Sequence, residues 1–198
     1  MPRVRTTLAV LAMLALGGTT VALAEPGRGG AGDHGDSRGK GHHGKRDRLA
    51  TATLRNATGE KVGRVEMRER RRAGVVRLVA RVRGLAPGFH GFHVHTTGRC
   101  DAPAFTTAGG HFNPGGATHN VHAGDLPSLL VNADGRAMLA TATDRFSLAD
   151  LRDADGSAVM VHSGPDSFAN IPPRYGTPDQ ATLDTGDSGS RVACGVVR

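Results

Sequence analysis

Aromatic residues are scarce in this 198-residue sequence, which has no tryptophan, one tyrosine and an aromatic content of only 4%. Proteins that bind single-stranded nucleic acid stack bases on aromatic side chains, so the composition argues against that class despite a net charge of +7. Two cysteines are too few for a disulfide-dense mini-protein, although they suffice for one disulfide. The 29 glycines follow no Gly-X-Y period, which excludes collagen.

A long hydrophobic run is also missing. The apolar run at residues 8–16 has nine residues, about half of the ~18 needed to cross a bilayer. It follows Arg3 and Arg5 and is followed by Ala-Leu-Ala at residues 22–24, a pattern typical of a removable secretory signal peptide over residues 1–24. No cysteine follows the run to accept lipid, and the two arginines are not adjacent, so neither a lipid anchor nor twin-arginine export is indicated. We therefore expect a secreted or extracytoplasmic protein without a membrane span.

Residues 25–48 are rich in Gly, Asp, Lys, Arg and His and contain no Val, Ile, Leu or Phe. Such a segment has nothing to bury, so it is predicted to be a disordered linker. Its three histidines, His34, His42 and His43, leave two interpretations open. The segment is either a solvated spacer or a loose binder of transition metals.

Residues 49–198 show the period of two that is typical of β-strands. Val65 and Met67 alternate with charged residues, and residues 76–82 repeat the pattern, which predicts a hairpin. Further strands are predicted at residues 50–55, 91–95, 128–131, 137–143, 158–162 and 192–197. Since no long helical period competes, we expect an all-β domain, an antiparallel sandwich or barrel of about eight strands.

A basic cluster lies at the predicted hairpin turn and comprises Arg68, Arg70, Arg71 and Arg72. It could form a nucleic-acid patch, or it could be a solvated edge that resists pairing with other strands. We favour the solvated edge, because Glu66 and Glu69 lie beside these arginines.

Seven of the ten histidines fall between His90 and His162. His93 and His95 are one residue apart on a predicted strand, so both imidazoles leave the same face. By the same alternation His90 points away from them, and we interpret it as structural. A loop then carries three histidines and one carboxylate, the donor set of a tetrahedral zinc site, and His162 ends a later strand. The loop residues are His111, His119, His122 and Asp125. We predict a metal centre.

At these positions the sequence resembles the Cu,Zn superoxide dismutase family over residues 49–198. The resemblance rests on Gly-Phe-His-Val-His at 91–95, Gly-His-Phe-Asn-Pro at 110–114, His-Ala-Gly-Asp-Leu-Pro at 122–127, Val-His at 161–162 and Gly-Ser-Arg-Val-Ala-Cys-Gly at 189–195. It implies a Greek-key β-sandwich or barrel with long metal-binding and electrostatic loops. It also implies an enzyme that converts superoxide to oxygen and hydrogen peroxide.

The resemblance further implies two metal ions and the role of each site residue. Copper would be bound by His93, His95, His111 and His162. Zinc would be bound by His111, His119, His122 and Asp125, so His111 would bridge the metals and pass a proton to the reduced substrate. Asp166 would hold His93 and His119 together, and Arg191 would attract and bind superoxide. Because Cys100 and Cys194 are the only thiols of an exported chain, we also predict that they form a disulfide.

Two departures from the family pattern affect these expectations. Only residues 120–121 separate His119 from His122, so zinc binding is less certain than copper binding. The sequence also ends at Arg198, soon after the Cys194 motif, which favours a monomer or a dimer of non-eukaryotic type.

Alternative functions are a copper-binding carrier and an inactive dismutase-like binding domain, but Arg191, His162 and the complete bridge favour the enzyme. Nucleic-acid binding has only the net charge in its favour, and the export signal argues against it.

Overall fold

Residues 48–70 and 72–198 are described by the computed structural model. They contain eight strands, β1 Arg48–Arg55, β2 Lys61–Arg70, β3 Val75–Arg83, β4 Gly88–His95, β5 Asp125–Val131, β6 Arg136–Thr143, β7 Ala158–His162 and β8 Arg191–Val196. The strands confirm the prediction from the period of two. Sequence reasoning missed one short helix, α1 Gln180–Thr185. The predicted signal peptide and nearly all of the predicted linker lie outside the described residues.

All strand pairs are antiparallel, and the strands form one sheet in the order β5-β4-β7-β8-β1-β2-β3-β6. The terminal strands β5 and β6 also pack against each other, so the sheet curls into a nearly closed barrel. The pairs β3–β6 and β4–β7 join strands that are distant in sequence, which gives the expected Greek-key arrangement. In this order β2 stands four places from β4 and β3 stands four places from β7, so β2 and β3 lie on the opposite wall.

The barrel core is built from the inward residues of alternating strands, such as Val65 and Met67 of β2 and Leu78 of β3. β4 differs because both of its faces are buried. Its Phe92 belongs to the apolar core, whereas His93 on the other face is buried beneath the loops. Each fully buried Leu, Met or Phe contributes roughly 1.5 to 3 kcal/mol, so the barrel has a core that does not depend on metal.

One disulfide joins Cys100 to Cys194, as predicted, with their Cα atoms 5.7 Å apart and a sequence separation of 94. It fixes the loop after β4 to β8, three residues from Arg191. In the chain-entropy account, a crosslink across so long a segment stabilises the fold by about 4 to 5 kcal/mol. Within the described ranges no helix is long and apolar enough to cross a bilayer.

Candidate metal centre

Four histidines form a first cluster at one end of β4 and β7. It consists of His93, His95, His111 and His162. The two strands pair directly, with His93 opposite Met160, and this register brings His162 toward the two β4 histidines. His111 joins them through an isolated bridge to His95. One nitrogen from each residue lies within 4.8 Å of the others. All four side chains are buried, so the predicted first set is assembled.

A second cluster shares His111 and lies on the loop that leads into β5. It consists of His111, His119, His122 and Asp125. The carboxylate of Asp125 is 3.0 Å from His111 Nδ1 and 3.2 Å from His119 Nδ1. Its other contacts include the backbone N–H of His122, which donates to Oδ2 at 3.0 Å. The predicted zinc set is therefore also assembled, with His111 between the two clusters.

Outward hydrogen bonds fix which nitrogen of each imidazole faces a cluster. His95 Nδ1 donates to the carbonyl of Gly109 at 2.9 Å, and His162 Nδ1 donates to the carbonyl of Gly189 at 3.2 Å. When neutral, each ring therefore carries its proton on Nδ1 and a lone pair on Nε2. The two Nε2 atoms are only 3.4 Å apart. Two facing lone pairs repel, so this arrangement calls for a cation between them.

Two further nitrogens support a metal-binding role. Nδ1 of His93 is buried and has no hydrogen-bond partner, and Nδ1 of His119 is buried with only the Asp125 carboxylate beside it, at 3.2 Å. A buried polar atom without a partner carries a desolvation cost of about 1 to 3 kcal/mol, which coordination to a metal would remove. Each atom belongs to a different cluster. The donor sets, four imidazoles in one and three imidazoles with a carboxylate in the other, suit copper and zinc respectively.

Burial keeps three of the four histidines of the first cluster unprotonated at neutral pH. It lowers the pKa of His93 to about 4 and of His162 to about 3, and it lowers the pKa of His95 as well. A neutral imidazole has the lone pair that a metal requires, so these rings need not lose a proton when a metal binds.

The second cluster contains a carboxylate and, unlike the first, holds a proton at neutral pH. Burial opposes protonation of His119, yet its hydrogen bonds with Asp125 and Asp166 raise its pKa to about 9. Burial likewise opposes ionisation of Asp125, but hydrogen bonds from His111 and His119 hold its pKa well below the usual range. A metal ion at this cluster would therefore displace a proton from His119.

Asp166 connects the clusters, as the resemblance implied. Its carboxylate accepts from His93 Nε2 at 2.6 Å and from His119 Nε2 at 2.7 Å, and it is buried. Gly186, which caps the C-terminal end of α1 at φ 61°, packs against the same carboxylate. A side chain at Gly186 would collide with both Asp166 and His119, so only glycine fits there.

Arg191 lies beside the first cluster in a cleft of about 680 Å³ that His95, His111 and His162 also line. Its guanidinium donates to the carbonyl of Phe105 at 2.6 Å and to that of Gly109 at 2.6 Å. The Gly109 carbonyl also accepts a hydrogen bond from His95. One backbone oxygen therefore fixes the position of Arg191 relative to the first cluster. Sequence reasoning missed these carbonyls because backbone acceptors have no side-chain signature.

His90 lies outside both clusters, in keeping with the structural role predicted for it. It is buried, and its ring nitrogens are 2.7 Å from the carbonyl of His162 and 2.8 Å from that of Ala86.

Arg145, which sequence reasoning did not single out, reaches across to the short segment between His119 and His122. Its guanidinium donates to the carbonyl of Asn120 at 3.0 Å and to that of His122 at 3.3 Å. The segment has only two residues in which to turn, and Arg145 ties its backbone to the loop after β6. Arg145 thereby holds in place the short segment between His119 and His122, which made zinc binding less certain from the sequence.

Replacing Arg145 by Ala is expected to speed zinc dissociation by about 10-fold, because two hydrogen bonds to a charged donor are lost. The measurement is zinc transfer to a coloured chelator in the zinc-loaded protein. Arg152→Ala is the matched control, since Arg152 also donates to a carbonyl, that of Leu49, at 2.7 Å. Equal rates in the two variants would contradict this role of Arg145.

The metal-free protein is expected to lose stability as the pH falls from about 6.5 to 4. In that window the unfolded chain binds protons at His93 and His162, whereas the folded chain does not, because both folded pKa values are lowered. Each histidine then removes about 1.4 kcal/mol per pH unit. His119 has the opposite effect, because its pKa is raised in the folded chain. Its contribution to stability is fully present below about pH 6.5 and is lost as the pH rises through 9. Urea midpoints of the chelator-treated protein test this, and a flat midpoint from pH 6.5 to 4 would refute it.

Comparison with known proteins agrees with this geometry. The pattern of the Copper/zinc superoxide dismutase (SODC) family matches residues 61–197. Superoxide dismutase [Cu-Zn] of Mycobacterium tuberculosis is 49% identical over 130 residues, 57% of this chain and 54% of that protein. The chain thus spans about half the length of its mycobacterial relatives.

Other matches cover more of the chain. Extracellular superoxide dismutase [Cu-Zn] of Onchocerca volvulus is 33% identical over 167 residues, with 81% of each chain covered. Among solved structures, a SOD-like protein from Bacillus subtilis superposes with a TM-score of 0.63 at 32% identity, covering 74% of this chain and 96% of that one.

Proposed function

Because the chain belongs to the copper/zinc superoxide dismutase family, we propose that it is an exported enzyme that converts superoxide to oxygen and hydrogen peroxide. The observation that carries the proposal is the position of Arg191. Its fixed guanidinium faces the same cleft as three histidines of the first cluster. A metal carrier has no use for a cation placed where a small anion would approach its site.

In this proposal copper would be held by His93, His95, His111 and His162, and zinc by His111, His119, His122 and Asp125. The division follows ligand chemistry, because the carboxylate belongs with the harder ion of fixed charge. When bound, copper would supply the one-electron chemistry by which two superoxide ions and two protons become oxygen and hydrogen peroxide.

The chain's own residues bring in the substrate and supply a proton. Arg191 attracts the anion and offers it the guanidinium N–H groups not committed to Phe105 and Gly109. His111 faces the second cluster through Nδ1, which leaves Nε2 to give a proton to the reduced substrate and to recover one from water. Asp166 holds His93 and His119 as a positioning residue.

Metal analysis combined with a superoxide-consumption assay tests the proposal. We expect one copper and one zinc per chain and a rate of superoxide loss that follows the copper content. Full copper loading without superoxide consumption would overturn the enzyme and favour the carrier.

Export is part of the same proposal. It is supported by the signal-peptide pattern at residues 1–24 and by the extracellular relative from Onchocerca volvulus. A disulfide between Cys100 and Cys194 also suits an oxidising compartment.

A further inference from the structure

Two carboxylates share the cleft of the first cluster with Arg191, and neither belongs to the metal-binding sets. They are those of Asp184 and Asp187, which lie on either side of Gly186 at the end of α1. Among the described residues that line the cleft, these two and Arg191 are the only ones besides histidine that carry a charge. With neutral histidines, the chain therefore gives the cleft two negative charges and one positive charge.

Exposure orders these charges along the cleft. Asp184 and Asp187 are exposed, Arg191 is partly buried, and the histidines of the first cluster are buried. The carboxylates thus lie at the solvent side and the metal-binding nitrogens at the floor. An anion that enters from solvent meets the two carboxylates before it reaches the guanidinium.

Neither carboxylate is neutralised within the described part of the chain. Asp184 accepts a hydrogen bond from the side-chain amide of Gln180 at 2.8 Å, and the backbone N–H of Asp187 donates to Thr185 Oγ1 at 3.3 Å. In the described ranges neither residue forms an ion pair. Gly186 between them is packed against the metal centre, so the backbone that carries both carboxylates is held beside the cleft.

Helix stability does not explain why carboxylates occupy these positions. The C-terminal end of a helix favours cations and disfavours anions, because its free carbonyl groups carry a partial negative charge. Asp184 lies in the last turn of α1, which contains no basic residue, and Asp187 directly follows the capping Gly186. A role in the cleft therefore accounts for the two charges better than a role in the fold.

The size of the cleft cannot select superoxide. A water molecule takes up about 30 Å³ in the liquid, so a cleft of about 680 Å³ has room for roughly 20 of them. Superoxide is diatomic, and tetrahedral ions such as sulfate or phosphate would also fit. Guanidinium groups bind such oxyanions well, so Arg191 alone would attract them too. Selection among anions must therefore come from charge.

We propose that Asp184 and Asp187 are selectivity residues, which keep multivalent anions away from Arg191 while a small monoanion passes. Coulomb repulsion grows with the product of the charges, so a dianion is repelled twice as strongly as a monoanion at the same place. Repulsion of unwanted ligands is a general route to specificity, and here it also slows the substrate to a smaller extent. The inference rests on the proposed function, because it takes superoxide as the anion to be admitted.

Perchlorate and sulfate are the probes, because both are tetrahedral oxyanions and sulfate carries one more negative charge. Their dissociation constants are measured at low salt on the zinc-loaded full chain, through the NMR signal of the Arg191 guanidinium. The double variant Asp184→Asn with Asp187→Asn should bind perchlorate about 3-fold and sulfate about 10-fold more tightly than the parent, since doubling the charge doubles the logarithm of the change. Raised salt should reduce both effects.

The matched control is the double variant Asp150→Asn with Asp155→Asn. Both residues are exposed and neither lines the cleft, so the control removes the same charge elsewhere on the surface. It should bind both anions like the parent. Equal tightening of perchlorate and sulfate in the cleft variant would overturn the proposal. So would equal tightening in the two double variants, or a cleft variant that binds neither anion.

Thermal unfolding separates a folding defect from a change in selectivity. The cleft variant should be at least as stable as the parent, because it removes carboxylates from the end of α1. Each single variant should bind sulfate about 3-fold more tightly, which repeats the test in a less altered protein.

Superoxide consumption by the copper-loaded cleft variant is measured last. The rate should rise about 3-fold at low salt and should become more sensitive to inhibition by sulfate. The anion constants are obtained without dismutation. Tighter sulfate binding without superoxide consumption would therefore count against the proposed enzyme, whereas unchanged anion constants would count against the selectivity residues.

Discussion

Replacing Arg191 by Glu is expected to lower the second-order rate of superoxide consumption by at least about 10-fold and to flatten or reverse its salt dependence. Superoxide is too small to gain much binding energy from contact area, so charge must guide it to the cleft. The guanidinium is anchored by the carbonyls of Phe105 and Gly109, which makes the positive charge a fixed feature of the cleft. A carboxylate at the same position would repel the substrate.

Two variants show whether position matters as well as charge. Arg191→Lys keeps the charge but cannot donate to both carbonyls in a planar fork, so its rate should fall between those of the parent and Arg191→Glu. Arg174→Glu reverses a charge that does not line the cleft and lies over the ring of Tyr175. It should change the rate little. Copper content should stay the same in all three, and a parental rate and salt response in fully copper-loaded Arg191→Glu would remove Arg191 from the mechanism.

Replacing Asp125 by Ala is expected to weaken zinc binding by at least about 100-fold while copper remains at His93, His95 and His162. Asp125 is the only carboxylate of the second cluster, and its buried charge balances the metal. Removing a second-sphere partner commonly costs 10 to 100-fold in metal affinity, and a direct ligand should cost at least the upper figure. Thermal stability of the zinc-loaded protein should fall toward that of the zinc-free parent.

Asp125→Asn provides the matched comparison. It keeps the size of the side chain and an acceptor for the His122 N–H, which lies 3.0 Å from Oδ2, but it removes the negative charge. If the negative charge of Asp125 matters most, the Asp125→Asn and Asp125→Ala variants will lose zinc to a similar extent. Titration of both metals with chelators measures the effect. Parallel loss of copper and zinc from the start would argue against two separable clusters.

Much of this fold and site could be predicted because the signals reside in side chains. The alternation around Val65 and Met67 predicts strands, and the spacing of His93 and His95 predicts imidazoles on one face. Contacts to backbone atoms were not predictable. The carbonyls that orient His95, His162 and Arg191 belong to loop residues whose positions depend on tertiary packing.

Register explains another gap between sequence and structure. The arginines of β2 and β3 are visible in the sequence, and alternation predicts that they face outward. Whether Arg68 opposes Arg77 or a neutral neighbour depends on the hairpin turn, because a shift of one residue changes every pair. The basic cluster was predicted to be a solvated edge: Arg68, Arg70 and Arg72 are exposed, Arg71 lies outside the described residues, and β2 is an inner strand paired with both β1 and β3.

The contact of Gly186 with Asp166 has a consequence for how the loops open. The carboxylate ties His93 on β4 to His119 on the His111–Asp125 loop, and Gly186 at the end of α1 packs over it with no room for a methyl group. We therefore expect these segments, although far apart in sequence, to open together as one unit instead of fraying separately. A substitution at the end of α1 would then disturb both clusters, because His93 and His119 share the same hydrogen-bond acceptor.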